Sequence, residues 1–144
     1  MYHRWAALTL VLALWCLAPE SAAGQSAPAD QLQPRGRKAG TLGQNYPNPV
    51  STETHIPFTL ACTDGGGDYV VSVRIYNVLA QFVAIPVLQD SGEPVEKLTL
   101  PCGDYVGYWD GKVRRTKKEA PPGIYIYELV ADGERTAKKM YIEK

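Results

Sequence analysis

The sequence predicts an all-β domain, an immunoglobulin-like β-sandwich of about seven antiparallel strands. Three observations lead there. From residue 42 onward, apolar side chains recur with a period close to two, in short runs separated by Gly, Pro, Asn and Asp. No longer window carries a capped helical stripe. The aromatic content is nine Tyr against two Phe, with only two Met, which suits pleated, half-exposed surfaces better than a helical core.

The strands follow in order. Across 55–62, Ile56, Phe58, Leu60 and Cys62 share one face and Pro57, Thr59 and Ala61 the other. Pro57 donates no ladder hydrogen bond, so this strand is expected at a sheet edge or with that amide side facing out. Residues 64–68, Asp-Gly-Gly-Gly-Asp, signal a turn. Val71, Val73 and Ile75 then alternate with Ser72, Arg74 and Tyr76 in a strand over 69–78, closed by a corner at Ala80-Gln81. Val83, Ile85 and Val87 form one further strand, ending at Asp90-Ser91-Gly92. Leu98 and Leu100 form another, ending at Pro101, and 105–109 a short one closed by Asp110-Gly111. Residues 112–122 read as a polar loop. Two last strands, 124–130 and 135–143, flank the hairpin signal Asp132-Gly133, with Met140 and Ile142 facing inward. The roughly hundred residues from 42 on suffice for one two-sheet core.

The first residues read as something else. One Arg follows the initiating Met, residues 6–18 are almost wholly apolar, Pro19-Glu20 break the run, and Ser21-Ala22-Ala23 fits a cleavage site. Residues 1–23 are therefore expected to be a secretory signal peptide. The apolar run falls short of the ~20 residues a membrane-spanning helix needs. Residues 24–41, rich in Gln, Ala, Pro, Gly and basic side chains, read as a flexible linker, and 42–144 as the folded domain. Export places the chain in an oxidising compartment. Of three cysteines, Cys62 and Cys102 remain after the leader and are expected to pair; two separate buried thiols are the alternative. A bond would close a loop of about 40 residues and contribute roughly 4 kcal/mol on the chain-entropy model.

Little in the sequence carries chemistry. Net charge is zero, so the whole molecule has no strong attraction to nucleic acid. After the leader, His55 is the one histidine, and no Ser-centred elbow, phosphate loop or metal-ligand spacing is present. Asp64 and Asp68 lack the dense oxygen ligands of a calcium loop. The expectation is a protein without cofactor, metal, catalytic residues or small-molecule substrate. One segment stands out, the basic loop with Lys112, Arg114, Arg115, Lys117 and Lys118. Such a run meets either an anionic surface glycolipid or acidic partner, or only solvent; without interleaved aromatics, nucleic acid is not expected.

Several segments resemble, in order, the C-terminal sorting domains of the type IX secretion system and the related immunoglobulin-like domain of flagellar hook-capping proteins. Leu42-Gly43-Gln44-Asn45-Tyr46-Pro47-Asn48-Pro49 is similar to the family's opening and Ile56-Pro57-Phe58-Thr59-Leu60 to its first strand. Val73-Arg74-Ile75-Tyr76-Asn77-Val78-Leu79 resembles its strand and turn, Tyr108-Trp109-Asp110-Gly111 its WDG corner, and Gly123-Ile124-Tyr125-Ile126-Tyr127 its penultimate strand. Lys138-Lys139-Met140-Tyr141-Ile142-Glu143-Lys144 resembles its closing strand. Ala80 replaces the family's usual Gly, Val50-Ser51-Thr52 its Phe-Asn-Pro, and the loop after Gly111 lacks its Gly. Such domains usually end longer cargo proteins, whereas here only a linker precedes the domain.

The motif residues also have expected structural roles. The two prolines fix φ and let Tyr46 lie against the sandwich. Trp109 plugs one end of the core. Gly111 supplies a left-handed turn position and Gly123 an unusual backbone angle at a strand start. The resemblance implies a chain that passes through the periplasm and is delivered outside or to the cell surface by an outer-membrane secretion machine, which would read the last strand with Lys138, Lys139 and Lys144. The alternative is an assembly or adhesion subunit that contacts another protein through strand edges and surface loops.

Overall fold

The computed structural model describes residues 38–143. The expected signal peptide, residues 24–37 of the expected linker, and Lys144 lie outside the described residues. Nine strands form in the order β1 (Gly40–Leu42), β2 (Thr54–Leu60), β3 (Asp68–Asn77), β4 (Phe82–Ala84), β5 (Val87–Leu88), β6 (Leu98–Pro101), β7 (Gly103–Trp109), β8 (Gly123–Ala131) and β9 (Glu134–Ile142). They make two antiparallel sheets packed face to face, so the all-β sandwich expected from the periodicity is the fold. One sheet runs β1-β2-β7-β5. The other runs β4-β3-β8-β9, with β6 also paired to β3.

Alternation builds the core. Ile56, Phe58 and Leu60 of β2 face Val71, Val73 and Ile75 of β3, Tyr125, Tyr127 and Leu129 of β8, and Met140 and Ile142 of β9, all buried. The β8–β9 hairpin closes through Asp132 (φ 47°) and Gly133 (φ 86°). Two successive positive φ values match the right-handed twist of the flanking strands.

Three expectations change. Among the described residues the sandwich has nine strands rather than about seven, because β1 precedes the first expected strand and residues 82–88 do not form one strand. Pro86 interrupts the run, β4 pairs with β3, and β5 crosses to pair with β7 in the other sheet. Next, β2 is not an edge strand. It lies between β1 and β7, and Pro57 points its ring nitrogen to the side where its carbonyl accepts from Gly43 N (2.8 Å). The missing donor thus faces the entry segment just beyond the end of β1, so neither expected arrangement, an edge strand or an amide side facing out, holds. Finally, regular structure begins at Gly40, ahead of the expected boundary at Leu42. The Leu129 side chain packs so close to Gly40 that a Cβ there would make it give way by a few tenths of an ångström.

The sandwich has two distinct poles. At one, β2 ends opposite the start of β7 (Leu60↔Gly103), and Cys62 is bonded to Cys102 with the Cα atoms 5.0 Å apart. The bond ties the loop after β2 to the crossing between β6 and β7. At the other pole, β2 starts opposite the end of β7 (Thr54↔Trp109), β8 starts opposite the end of β9 (Gly123↔Ile142), and β3 ends (Asn77↔Tyr125).

Candidate functional site

The second pole gathers most of the motif residues. The entry segment reaches it by running along the outer edge of β9. Gln44 Nε2 donates to Lys139 O (3.3 Å), Tyr141 N to Asn48 Oδ1 (2.9 Å), Val50 N to Tyr141 O (2.7 Å), and Glu143 N to Val50 O (2.9 Å). These bonds cover the end of a strand that would otherwise present unpaired backbone groups.

The segment is locked from inside by a buried polar knot. Asn45 is 2% exposed. Its Nδ2 donates to Thr54 Oγ1 (3.0 Å) and to Pro47 O (3.1 Å), and its Oδ1 accepts from Gln44 Nε2 (2.7 Å). Thr54 Oγ1 donates to Pro47 O (3.0 Å). Tyr127, fully buried on β8, donates its hydroxyl to Gly43 O (2.9 Å) and accepts from Asn45 N (3.0 Å). Burial raises the Tyr127 pKa, and the Asn45 N–H opposes that shift. Both peptide bonds preceding Pro47 and Pro49 are cis. Tyr46 stays half exposed, its ring stacked 5.2 Å from that of His55. Pro47, Asn48 and Pro49 are exposed at the surface.

Next to the knot lies the Trp109 corner. Trp109 is buried, 6.2 Å from the Tyr125 ring, and its Nε1 donates to Lys112 O (3.0 Å). Tyr125 donates its hydroxyl to Pro121 O (2.9 Å), and burial raises its pKa as well. Asp110 Oδ1 accepts from Lys112 N (3.1 Å). Gly111 has φ 68°, and a Cβ there would collide with the Thr52 carbonyl oxygen. The left-handed position expected of Gly111 is therefore present, with a second, steric reason for glycine. Gly123 adopts φ 149°, also outside the range L side chains favour.

The basic loop folds back on itself from this corner. Ala120 N donates to Gly111 O (2.8 Å), Val113 N to Lys118 O (2.8 Å), and Lys117 N to Val113 O (2.8 Å), while Arg114 N pins the loop to β4 through Val83 O (2.9 Å). Lys112 pairs with Asp110 (3.7 Å) and Arg114 with Glu96 (3.5 Å). Arg115, Lys117 and Lys118 form no ion pair among the described residues. Between the loop and the β5–β7 pair is an open cleft of about 220 Å³, lined by Ile85, Val87, Tyr108, Val113, Arg114 and Lys117 among others. Tyr108 donates its hydroxyl to Glu53 Oε2 (2.7 Å); that bond, with burial and the nearby carboxylates, raises its pKa.

Other predicted residues fall elsewhere. Lys138 and Lys139 occupy the middle of β9 on opposite faces. Lys138 shares the inward side with Met140 and is half buried, and Lys139 is exposed. The disulfide lies at the opposite pole. Sequence reading overlooked Thr54 and the bonding role of Tyr127. Their signal was faint: a polar residue on the inward alternation of β2, and the second Tyr of Ile-Tyr-Ile-Tyr on the same inward face as Tyr125. Among the described residues, no three His, Cys, Asp or Glu side chains gather as a metal site would require.

No family model and no curated protein matches the chain. Among solved structures, the fold is similar to part of the Pseudomonas fluorescens alkylpurine DNA glycosylase AlkC bound to DNA containing an abasic site analog. The TM-score is 0.46 and the identity 13%, over 75% of this chain and 31% of that one. The chain thus spans about a third of that protein's length, and a likeness this low carries no argument about function.

Proposed function

We propose that the chain is a non-enzymatic exported module that directs delivery across the outer membrane or attachment at the cell surface, with the motif-bearing pole and the last strand as the recognised surface. One observation carries this reading. Segments that are far apart in sequence and that resemble sorting domains meet at a single pole, where the entry motif clamps the end of β9. A recognition surface needs rigid, specifically placed groups, and hydrogen bonds from both flanks hold this strand end in place. The partner is the secretion machinery, and the route is through the periplasm.

The test places a reporter between residues 23 and 24 of the full chain, in a host with a type IX system and in one lacking it. Surface delivery is expected only in the first host and is lost when residues 135–144 are deleted. Periplasmic retention in both hosts overturns the reading.

A second reading, an assembly or adhesion subunit, rests on a different face. Phe82, Ile124 and Tyr141 are exposed on the outer side of the five-stranded sheet, and Val78 and Leu79 project at the adjoining turn. Of these, Ile124 and Tyr141 are cross-strand partners, and exposed apolar side chains placed together favour protein contact. Concentration-dependent self-association that Ile124→Lys abolishes supports this reading, and a monomer at all concentrations removes it.

A further inference from the structure

We propose that the cleft beside the 111–120 loop binds an acidic sugar residue, with the ring laid on Val87, Ile85 and Val113 beside Tyr108 and the carboxylate held by Lys117 and Arg114. This site does not depend on the secretion reading.

Four observations converge. First, the cleft is concave and shaped by backbone bonds rather than by mobile tips: Arg114 N to Val83 O, Val113 N to Lys118 O and Lys117 N to Val113 O. Second, Lys117 sits at φ 57°. A lysine there costs on the order of 1 kcal/mol of backbone strain relative to a right-handed conformation, and non-glycine strain of this kind concentrates at binding sites. Third, the charge is unbalanced. Lys112, Arg114 and Lys117 line the cleft against one carboxylate, Asp110. Asp110 is taken up by Lys112, and Glu96 is shared between Arg114 (3.5 Å) and Arg74 (4.0 Å). Lys117 forms none of the ion pairs among the described residues, and Arg115 and Lys118 add positive potential just outside, against Glu119 of the same loop and Glu53 on the Tyr108 hydroxyl. Fourth, Ala84, Ile85, Val87 and Val113 give the cleft an apolar part to its lining, which serves as the floor in this proposal.

Together these properties select the ligand. A bare inorganic anion uses the cations and leaves the apolar floor in water. A fatty chain uses the floor but cannot be enclosed by so open a cleft. A pyranose ring presents one C–H face to an apolar floor while its hydroxyls stay hydrated, and a uronic carboxylate gives Lys117 an ion-pair partner. The cleft's volume of about 220 Å³ admits one such ring.

The test is an NMR titration of the ¹⁵N-labelled full chain with glucuronate, glucose and inorganic phosphate at matched ionic strength. Glucuronate is expected to shift the amides of Val87, Val113, Arg114 and Lys117 saturably at millimolar concentration, and glucose to leave them unmoved. Phosphate is expected to bind at least fivefold more weakly than glucuronate. Lys117→Gln is expected to weaken glucuronate at least fivefold, while Arg135→Gln at the far pole leaves binding unchanged. Peak dispersion in each variant's spectrum shows that it is folded. Absence of saturable shifts, shifts centred elsewhere, or an undiminished affinity in Lys117→Gln overturns the site. Phosphate binding as tight as glucuronate overturns the sugar and leaves a plain anion site.

Discussion

Replacing Tyr127 with Phe removes one oxygen from the centre of the knot and keeps every ring contact. That hydroxyl donates to Gly43 O at 2.9 Å and accepts from Asn45 N at 3.0 Å, across more than 80 residues of sequence separation. In the variant, a carbonyl and an amide next to a fully buried side chain lose their partner together. Each bond is worth about 1 kcal/mol net, and each orphaned buried group costs about 1–3 kcal/mol. Gly43 is only partly buried, so water recovers part of its share. Two groups give about 2–6 kcal/mol, and with water recovering part of the Gly43 share the expected loss is about 2–3 kcal/mol, toward the lower end. Urea unfolding of residues 24–144, in which Trp109 is the one tryptophan, measures it by fluorescence, with an unchanged m value if the denatured state is unaffected. A second consequence is local. This hydroxyl, on β8, anchors the entry segment whose next residues bond β9, so amide exchange at Val50, Tyr141 and Glu143 should accelerate more than exchange in the β3–β8 pairing. A loss under about 0.5 kcal/mol, or uniform acceleration across both sheets, would refute the view that the knot clamps the motif to the last strand.

Ala80→Gly should stabilise the protein by about 0.5–1 kcal/mol, seen as a higher urea midpoint. Ala80 holds φ 57° in a turn fixed by Asn77 Oδ1, which accepts from Leu79 N and Gln81 N, and a methyl group is strained there. Replacing Cys62 and Cys102 together by Ser should cost about 4 kcal/mol, because the bond closes a 40-residue separation. Equal stability of oxidised and reduced protein would count against this. Tyr125 and Tyr127 have pKa values raised by burial from 10.0. Their native states hold the proton more tightly than the unfolded chain does. This stability is fully present below pH 10 and is lost as pH rises through the higher native values, so urea midpoints should fall above about pH 10. The fall should be shallower in Tyr127→Phe.

What the sequence revealed and what it hid divide along physical lines. Period-two alternation set β2, β3, β8 and β9, because a strand with one buried face writes that face into every second residue. Asp132-Gly133 marked its hairpin because two positive φ values leave few residue choices. Pro86 was the readable clue to the crossing between β4 and β5. It was missed because Val83, Ile85 and Val87 keep the alternation even though the chain changes sheets between them. The change of sheet also shifts the buried set: of those three only Val83 is buried, and Ala84, Pro86 and Leu88 take the inward positions that follow.

The site was legible in its residues and not in its arrangement, for the same reason. Trp109, Gly111 and Asn45 were visible as motif positions. Their shared pole follows from the registers Thr54↔Trp109 and Gly123↔Ile142 within the two sheets, together with the Trp109–Tyr125 ring contact and the Val50↔Ile142 bridge that bring those ends together. Two lysines adjacent in sequence read as one basic feature, yet a strand sends Lys138 inward and Lys139 outward. The loop is the opposite case. Its five cations lie close in sequence, and the fold keeps Lys112, Arg114 and Lys117 on one cleft because backbone bonds turn the chain back on itself between Gly111 and Ala120. Charge in a strand is thus divided between two faces, while charge in a closed loop converges. On that physical ground the proposed anion site falls on the loop rather than on the lysines of β9.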